Sequence, residues 1–263
     1  MTARAHAPGG GDGRGDVRVS VCMATFRGAR WVEEQIASVL AQLGPRDELV
    51  VVDDASDDGT PDVLRRVDDP RLRVELRREN RGYVRTFEAA LEAARGDVLL
   101  LADQDDVWVP GRLERMVADL AAGDVVATNL ATLGGPDSIP GPYGQRAWRL
   151  RGKVGGRRAR DVLGVLAGNR PYFGCAMGVR RRALDVLLPF PPFLVESHDL
   201  WIALYGDLTG TMVHDEAVSV LRRYHDANTS PPRPRGVVAA LRSRLLLVRC
   251  LVELRRRLRV VGR

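Results

Sequence analysis

The first half of the chain alternates between short apolar stretches and amphipathic stretches, and this alternation is the feature that most constrains the fold. The hydrophobic patterns predict strands at 19–24, 48–53, 72–76 and 98–102, and helices at 31–43, 60–67, 83–94 and 110–120. Strands that alternate with helices form mostly parallel sheets with helices packed on their faces. The sequence therefore predicts an α/β fold in which a mostly parallel sheet is flanked by helices.

The predicted strand at 98–102 ends in a cluster of acids. Five apolar residues in succession precede Asp103, Asp105 and Asp106, which suits a strand covered on both faces. Carboxylates at that position repel each other and lose hydration, and both effects are unfavourable unless a cation neutralises the charge. The Asp103-Gln104-Asp105 pattern offers oxygen ligands to Mg²⁺ or Mn²⁺, and such an ion keeps positions open for substrate phosphates. A solvated acidic loop is the alternative interpretation.

Polar residues also follow the first two predicted strands. Thr25 and Phe26 follow the first strand, and Asp53 and Asp54 follow the second. Ligands of such sheets bind beyond the carboxyl ends of the strands, where the strand order reverses. The two carboxylates could accept hydrogen bonds from a nucleobase and a ribose, or form a turn that caps the next helix. A calcium loop is excluded because its twelfth position is Arg65 rather than a bidentate glutamate.

Two further candidates lie in the second half. Asp199 follows His198 near the start of a helix predicted at 196–205. It is either a first-turn acid stabilised by the helix dipole or a general base that faces the nucleotide site across a cleft. His225 follows a strand predicted at 217–222 and belongs either to a polar loop or to a metal or diphosphate site.

The rest of the second half is less regular. The pattern predicts a mobile loop at 134–156, an apolar segment at 173–177 that returns to the core, and a helix at 181–188. Prolines after residue 230 predict a linker, followed by a basic amphipathic helix at 236–261. That helix either packs its apolar stripe on the body or on a partner subunit, or lies on an anionic inner membrane leaflet. The stripe consists of Leu241, Leu245, Val248 and Val252.

Composition favours one domain with appendages, since the chain has 263 residues with 45% hydrophobic content. Residues 1–16 are rich in glycine and charge, and we interpret them as a disordered leader. The absence of a membrane-spanning run, together with the widely spaced Cys22, Cys175 and Cys250, predicts a cytoplasmic chain with reduced thiols. The net charge of +6 has no nucleic-acid-binding motif beside it, so we expect no nucleic-acid partner. The oligomeric state is left open.

Taken in order, these motifs resemble glycosyltransferase family 2, the inverting nucleotide-sugar transferases of GT-A fold. The acidic string and the later His-Asp pair are similar to its rhamnosyltransferase-like branch, although Leu200 replaces an aromatic residue of that branch. Phe26-Arg27-Gly28 keeps the ring of the family's Tyr-Asn-Gly but loses the asparagine. The resemblance covers about residues 18–230 and is carried by Thr25-Phe26, Val52-Asp53-Asp54-Ala55-Ser56, Asn80-x-Gly82-x-x-Arg85, Asp103-Gln104-Asp105-Asp106-Val107-Trp108, Pro110-x-Arg112-Leu113 and His198-Asp199-Leu200-Trp201.

The resemblance implies a role for individual residues. The base and ribose of the donor would be held by Thr25, Phe26 and Asp54, with Arg85 near the base or phosphate. Asp103 would contact the ribose and a Mn²⁺ or Mg²⁺ ion, with Asp105 and His225 as further metal ligands. Asp199 would be the catalytic base. The acceptor side would be shaped by Gly174, Cys175, His198 and Trp201.

The implied activity is metal-dependent, inverting transfer of a sugar from a UDP- or dTDP-sugar, with rhamnose among the candidates. The acceptor would be a hydroxyl of a glycan or a lipid-linked molecule in cell-envelope polysaccharide. Residues 17–230 would form the GT-A domain, with a nucleotide-binding half at 17–130 and an acceptor half at 131–230, followed by the linker and helix at 231–263. A non-catalytic nucleotide-sugar-binding module and a nucleotidyltransferase are the alternatives.

Overall fold

The computed structural model describes residues 16–136, 139–152, 158–225 and 237–262. Nearly all of the predicted leader, part of the predicted loop at 134–156 and the predicted proline-rich linker lie outside these residues. Within the described residues, no helix is long and apolar enough to cross a membrane.

The first half contains the predicted alternation of strands and helices. Three of the four apolar runs form strands with buried centres, whereas the run at 72–76 forms a partly exposed strand. Pro61 occupies the first turn of its helix, where its missing N–H costs nothing. The elements are β1 (Val19–Thr25), α1 (Val32–Leu40), β2 (Glu48–Asp53), α2 (Thr60–Arg66), β3 (Leu72–Leu76), α3 (Tyr83–Ala93), β4 (Val98–Asp103), β5 (Val107–Trp108) and α4 (Arg112–Asp119).

The described residues of the second half add three strands and four helices, together with single 3₁₀ turns at Gly174–Ala176 and Arg181–Ala183. Three of these elements are absent from the sequence-based prediction: β6, α5 and β7. The predicted strand at 217–222 begins earlier, at Met212, and the predicted helix at 181–188 is one 3₁₀ turn followed by one short helix. The elements are β6 (Val125–Thr132), α5 (Arg158–Ala167), β7 (Met177–Arg180), α6 (Leu184–Leu187), α7 (His198–Thr209), β8 (Met212–Arg222) and α8 (Val237–Val261).

All eight strands form one sheet in the order β3-β2-β1-β4-β7-β6-β8-β5. Strands β3, β2, β1 and β4 are parallel to one another, and β6 is parallel to β8, whereas β7 and β5 pair antiparallel with their neighbours. The mostly parallel sheet predicted from the sequence is therefore confirmed. Helices cover both of its faces: α1, α2 and α4 pack on one, and α3 with α5–α8 on the other.

The C-terminal helix packs through a face different from the predicted one. Its buried side chains are Leu247, Cys250, Leu254 and Leu258, which join the core around α7. The predicted stripe at Leu241, Leu245, Val248 and Val252 is exposed instead. The helix therefore has two apolar faces, and in the described part of the chain only one of them is covered.

Candidate active site

The polar residues predicted at the strand ends lie side by side at one edge of the sheet. Thr25 pairs with Asp53 across β1 and β2, and Ala24 pairs with Asp103 across β1 and β4. The chain builds outward from β1 to β3 on one side and then returns to place β4 on the other. The strand order therefore reverses between β1 and β4, which is where ligands of open α/β sheets bind.

The loops after β1 and β4 are joined by one side chain, Gln104. Its Oε1 accepts a hydrogen bond from the N–H of Phe26 at 2.9 Å, and its Nε2 donates to the carbonyl oxygen of Phe26 at 2.9 Å. Gly28 leaves room for this pairing, because a Cβ built there would lie 2.2 Å from Gln104 Oε1. The Phe26 ring stays 39% exposed at the reversal point. The geometry thus fixes the backbone under a ring that is free to stack on a ligand.

The carboxylates after β2 organise the neighbouring loops. Asp53 accepts hydrogen bonds from Thr25 Oγ1 at 2.8 Å and from the N–H and hydroxyl of Ser56. Asp54 is buried and accepts from the N–H groups of Arg81 at 2.9 Å and Gly82 at 2.8 Å. Thr25 and Asp54, predicted as donor-binding residues, are therefore engaged in holding the walls of the site.

The acids after β4 converge on a buried thiol. Ligand atoms of Asp103, Asp106 and Cys175 lie within 4.8 Å of one another, the one such group of potential metal ligands in the described part of the chain. Burial raises the pKa of Asp103 to about 8, and the charges of Asp106 and Asp105 add to this effect. Burial likewise raises the pKa of Asp106 to about 6, with a contribution from Asp105. The cluster therefore resists carrying its full negative charge without a cation.

The C-terminal end of β8 reaches the same cluster because β5 pairs with it, Trp108 opposite Val220 and Val107 opposite Leu221. His225 Nε2 lies 2.7 Å from Asp105 Oδ2, and its ring stacks on Trp31 at a centroid distance of 3.9 Å. Asp105 and His225, both predicted as metal ligands, are thus brought together.

Arg223 completes this contact between β8 and the acidic loop. Its N–H donates to Asp106 Oδ1 at 3.2 Å, and its side chain donates to the Asp105 carbonyl oxygen at 3.2 Å and to Glu34 Oε2 at 2.5 Å. The segment after β8 is therefore held directly over the acids that follow β4.

Two arginines supply positive charge to this region. Arg112 is buried and donates to Ser219 Oγ at 2.8 Å and to the carbonyl oxygens of Cys175 at 2.7 Å and Leu101 at 3.3 Å. Burial lowers its pKa to about 10, so it remains charged at neutral pH. The positive charge of Arg222 acts on Asp103 in the opposite direction to the neighbouring acids and lowers the pKa of Asp103.

Asp199 stands at the start of α7, beside the segment that carries Cys175 of the acidic cluster. It is half-buried, burial raises its pKa to about 6, and its charge is one of those that act on Asp103. Gly174 lies directly against it: a Cβ built on Gly174 would lie 3.6 Å from Asp199 Cβ and 3.2 Å from His198 Nε2. The predicted base and the predicted metal site thus face a common region.

The aromatic residues of α7 lie deeper than the sequence suggests. His198 is buried and stacks on Phe87 at 4.4 Å, and burial lowers its pKa to about 3. Trp201 is fully buried, donates to the Leu187 carbonyl oxygen at 3.2 Å and lies under the Arg257 guanidinium. A helix that is buried on several sides turns this ring into the core, and the acceptor-side role of Trp201 stays a prediction.

Two other predicted residues have different surroundings from those expected. Arg85 donates to the carbonyl oxygens of Phe190 at 3.0 Å and Pro191 at 2.8 Å and to Glu88 Oε2 at 2.7 Å, so it anchors the segment that leads to α7. Cys175, predicted on the acceptor side, lies in the acidic cluster instead.

Sequence reasoning left four residues of this site without a role: Gln104, Asp106, Arg112 and Arg222. Three of them were visible as signals, since Gln104 and Asp106 lie within the acidic string and Arg112 lies within the Pro110-x-Arg112-Leu113 motif. Arg222 gave no signal, because its approach to Asp103 depends on the long-range pairing of β5 with β8.

The donor set fits a hard divalent cation. Oxygen ligands come from Asp103 and Asp106, and Asp106 Oδ2 is buried with no strong donor such as an N–H or O–H among the described residues, only the nearby thiol of Cys175. Burial raises the pKa of the Cys175 thiol well above its ordinary value, so it stays protonated and is a poor ligand. Asp105 and His225 lie next to this set. The arrangement can hold Mg²⁺ or Mn²⁺ beside a diphosphate.

Comparison with known proteins identifies the family. The family model described as glycosyl transferase family 2 matches residues 20–188. An uncharacterised glycosyltransferase of Nostoc sp. is 30% identical over 184 residues, which are 67% of this chain and 55% of the relative. A UDP-glucose:GlcNAc-diphosphoundecaprenol glucosyltransferase, WfgD of Escherichia coli, is 27% identical over 110 residues, 42% of this chain and 44% of the relative. The chain thus spans about half the length of these relatives.

Solved structures show the same fold. TarS of S. aureus in complex with UDP-GlcNAc superposes with a TM-score of 0.67 at 18% identity, covering 92% of this chain and 72% of that one. The mannosyltransferase PcManGT of Pyrobaculum calidifontis, in complex with GDP-Man and Mn²⁺, superposes with a TM-score of 0.57 at 21% identity, covering 94% and 75%. The fold is that of the GT-A glycosyltransferases, and the chain belongs to glycosyltransferase family 2.

Proposed function

We propose that this chain transfers a sugar from a nucleoside-diphosphate sugar to a hydroxyl group of an acceptor, in a single displacement that depends on a divalent cation. The observation that carries the proposal is the position of Asp199, half-buried and next to Gly174, the chain neighbour of Cys175 in the cluster with Asp103 and Asp106. A single displacement needs a base beside the acceptor hydroxyl and a cation beside the departing diphosphate, with the sugar between them.

The donor would lie across the reversal point between β1 and β4. Phe26 would stack on the base, above a backbone that Gln104 holds in place. Asp103, Asp105 and Asp106, with His225, would hold Mn²⁺ or Mg²⁺. When bound, such an ion stabilises negative charge on a departing diphosphate. Arg222 would add to this stabilisation from the opposite wall.

Asp199 would act as the general base. Its raised pKa of about 6 leaves it ionised at neutral pH yet basic enough to accept the proton of an acceptor hydroxyl. Attack from the side opposite the diphosphate inverts the anomeric carbon, as in other single displacements on sugars. Gly174 would leave space beside Asp199, since a Cβ there would lie only 3.2 Å from His198 Nε2 and would touch Asp199 Cβ.

We infer the acceptor class from the relatives. WfgD is named for transfer to a diphosphoundecaprenol-linked sugar, which supports a glycan or lipid-linked acceptor in cell-envelope polysaccharide. UDP-GlcNAc bound to TarS and GDP-Man bound to PcManGT support a nucleoside-diphosphate sugar as donor. A UDP- or dTDP-sugar donor, a deoxyhexose such as rhamnose and a cytoplasmic location stay predictions.

The test compares Asp199→Asn with Asp185→Asn, a control on the exposed face of α6. Nucleoside-diphosphate release is measured across a panel of nucleotide sugars, with Mn²⁺ or with EDTA, and donor binding is followed by thermal shift. We expect Asp199→Asn to keep Mn²⁺-dependent donor binding and to lose about 10²–10⁴-fold in turnover. Turnover of Asp199→Asn close to that of the control, or turnover indifferent to EDTA, would overturn the proposal.

A further inference from the structure

The C-terminal helix α8 is fastened to the domain by one of its two apolar faces. Leu247, Cys250 and Leu254 are buried against the core cluster that includes α7. Arg257 donates to the carbonyl oxygens of Val186 at 2.9 Å and Leu187 at 3.2 Å. The helix is therefore anchored, and its outward face has a fixed orientation relative to the domain.

The outward face carries a continuous apolar stripe, which we call the outer stripe. Its members recur at intervals of three and four residues, which places them in one row along a helix. Each is between 44% and 65% exposed: Val238, Leu241, Leu245, Val248 and Val252. A row of five exposed aliphatic side chains is unfavourable in water and calls for a partner.

Arginines border the outer stripe on both sides. At 100° per residue, Arg242 and Arg249 lie on one side of the stripe and Arg255 on the other, and all three are exposed. The single acid of α8, Glu253, is already paired with Arg256 at 2.7 Å and Arg257 at 2.8 Å. The bordered stripe therefore presents an apolar centre between uncompensated positive charges.

We propose that the outer stripe docks α8 in the plane of an anionic lipid bilayer. Aliphatic side chains would enter the acyl boundary while the arginines contact acidic headgroups, as in other interfacial helices. A second copy of the chain fits less well. A twofold contact brings the same surface of each copy together, so arginines would face arginines with no free acid between them.

The docked orientation places the membrane near the acceptor side of the domain. The Arg249 guanidinium lies 4.3 Å from the centre of the Phe193 ring, in the segment that leads to Asp199. A lipid-linked acceptor would thus arrive from the surface that α8 contacts. The docking itself rests on the stripe and its arginines and does not depend on the transfer chemistry.

The experiment is vesicle co-sedimentation of the 263-residue chain. Vesicles of phosphatidylcholine alone are compared with an equal mixture of phosphatidylcholine and phosphatidylglycerol, at low and high salt. We expect binding to the anionic vesicles only, weakened by salt. The double variant Leu245→Glu/Val252→Glu should bind at least about tenfold more weakly, because two aliphatic side chains no longer enter the bilayer. Arg242→Gln/Arg255→Gln should lose roughly fivefold or more.

Val74→Glu is the control. It adds a glutamate at an exposed aliphatic position outside α8, on the edge strand β3. It should bind like the wild type. All variants should keep the far-ultraviolet spectrum and the nucleotide-sugar hydrolysis of the wild type, which separates failed docking from failed catalysis. Equal binding to neutral vesicles, or unchanged binding of the Leu245→Glu/Val252→Glu variant, would overturn the proposal. A dimer that this variant dissociates, without vesicle binding, would assign the stripe to a second copy.

Discussion

Replacing Asp103 by asparagine should stabilise the metal-free chain while removing its response to metal. In the folded chain the pKa of Asp103 is raised to about 8, from an ordinary value of 3.8, by burial and then by the neighbouring acids. Between these two values the folded state holds a proton that the unfolded state has released. Stability therefore falls as the pH rises through this window, and the loss is complete above about pH 8.

The size of the effect follows from the same two values. One pKa unit corresponds to about 1.4 kcal/mol of folding free energy. The difference between pKa 3.8 and about 8 therefore limits the stability lost through ionisation of Asp103 to roughly 6 kcal/mol at pH 8. The actual loss is smaller for two reasons. Asp103 is partly exposed to solvent, and part of its pKa rise comes from repulsion by Asp106 and Asp105, which can themselves take up a proton. We therefore expect Asp103→Asn to gain about 2 kcal/mol, which raises the melting temperature by about 4–8 °C in a chain of this size.

The assay is thermal unfolding in EDTA at pH 5 and pH 8, repeated with Mn²⁺ and a nucleotide sugar. At pH 5, little above the ordinary pKa of 3.8, only a small part of this stability has been lost, so the variant should gain much less over the wild type than at pH 8. Added Mn²⁺ with donor should raise the melting temperature of the wild type and not that of the variant. The exposed-site variant Asp185→Asn should behave as the wild type throughout.

Two results would refute this reasoning. If Asp103→Asn melts below the wild type at pH 8, the carboxylate makes a favourable contact that outweighs its repulsion. If the gain is equal at pH 5 and pH 8, ionisation of Asp103 is not its cause.

Three further predictions concern the residues around this cluster. Arg112→Met should lower the free energy of unfolding by about 3 kcal/mol in urea titrations, because it removes three buried hydrogen bonds and the positive charge buried beside Asp103 and Asp106. A change below about 1 kcal/mol would contradict this. Gly28→Ala should weaken donor binding by about tenfold, because the new Cβ would displace the Gln104 side chain. Gln104→Ala should weaken donor binding equally, and the double variant should bind no more weakly than either single variant; additive losses would contradict a shared cause. The pH profile of kcat/KM should fall on the acid side with a midpoint near pH 6, because Asp199 must be ionised to accept a proton, and a profile flat down to pH 5 would argue against Asp199 as the base.

The first half of the fold could be predicted closely because the sequence of each helix and strand there carries a clear hydrophobic pattern of its own. The largest disagreement at an element boundary is in α1, predicted to end at residue 43 and observed to end at Leu40. Parallel strands buried on both faces read as continuous apolar runs, and their helices show a clear apolar stripe. The same local clarity places the acids at the ends of β2 and β4.

The second half depends on contacts that a local pattern does not contain. β7 has four residues and is a strand because it fits between β4 and β6. β6 carries Thr128 and Asn129 where its ladder with β8 shifts register, which masks its apolar pattern. The sequence could not show which apolar face of α8 packs, because both are apolar at helical spacing and only the tertiary contact decides.

Backbone strain gives the remaining link between fold and site. Among the residues that the structure describes, three that are not glycine adopt left-handed φ angles: Arg27 at 50°, Ala55 at 61° and Ser197 at 61°. Each stands next to a residue of the candidate site, namely Phe26, Asp54 and the His198-Asp199 pair. Such conformations cost of order 1 kcal/mol or more each and persist where the surrounding contacts hold them. Asp53, Asp54 and Gln104 supply those contacts on the donor side, so their hydrogen bonds have a second role: they hold the turns that carry the site residues.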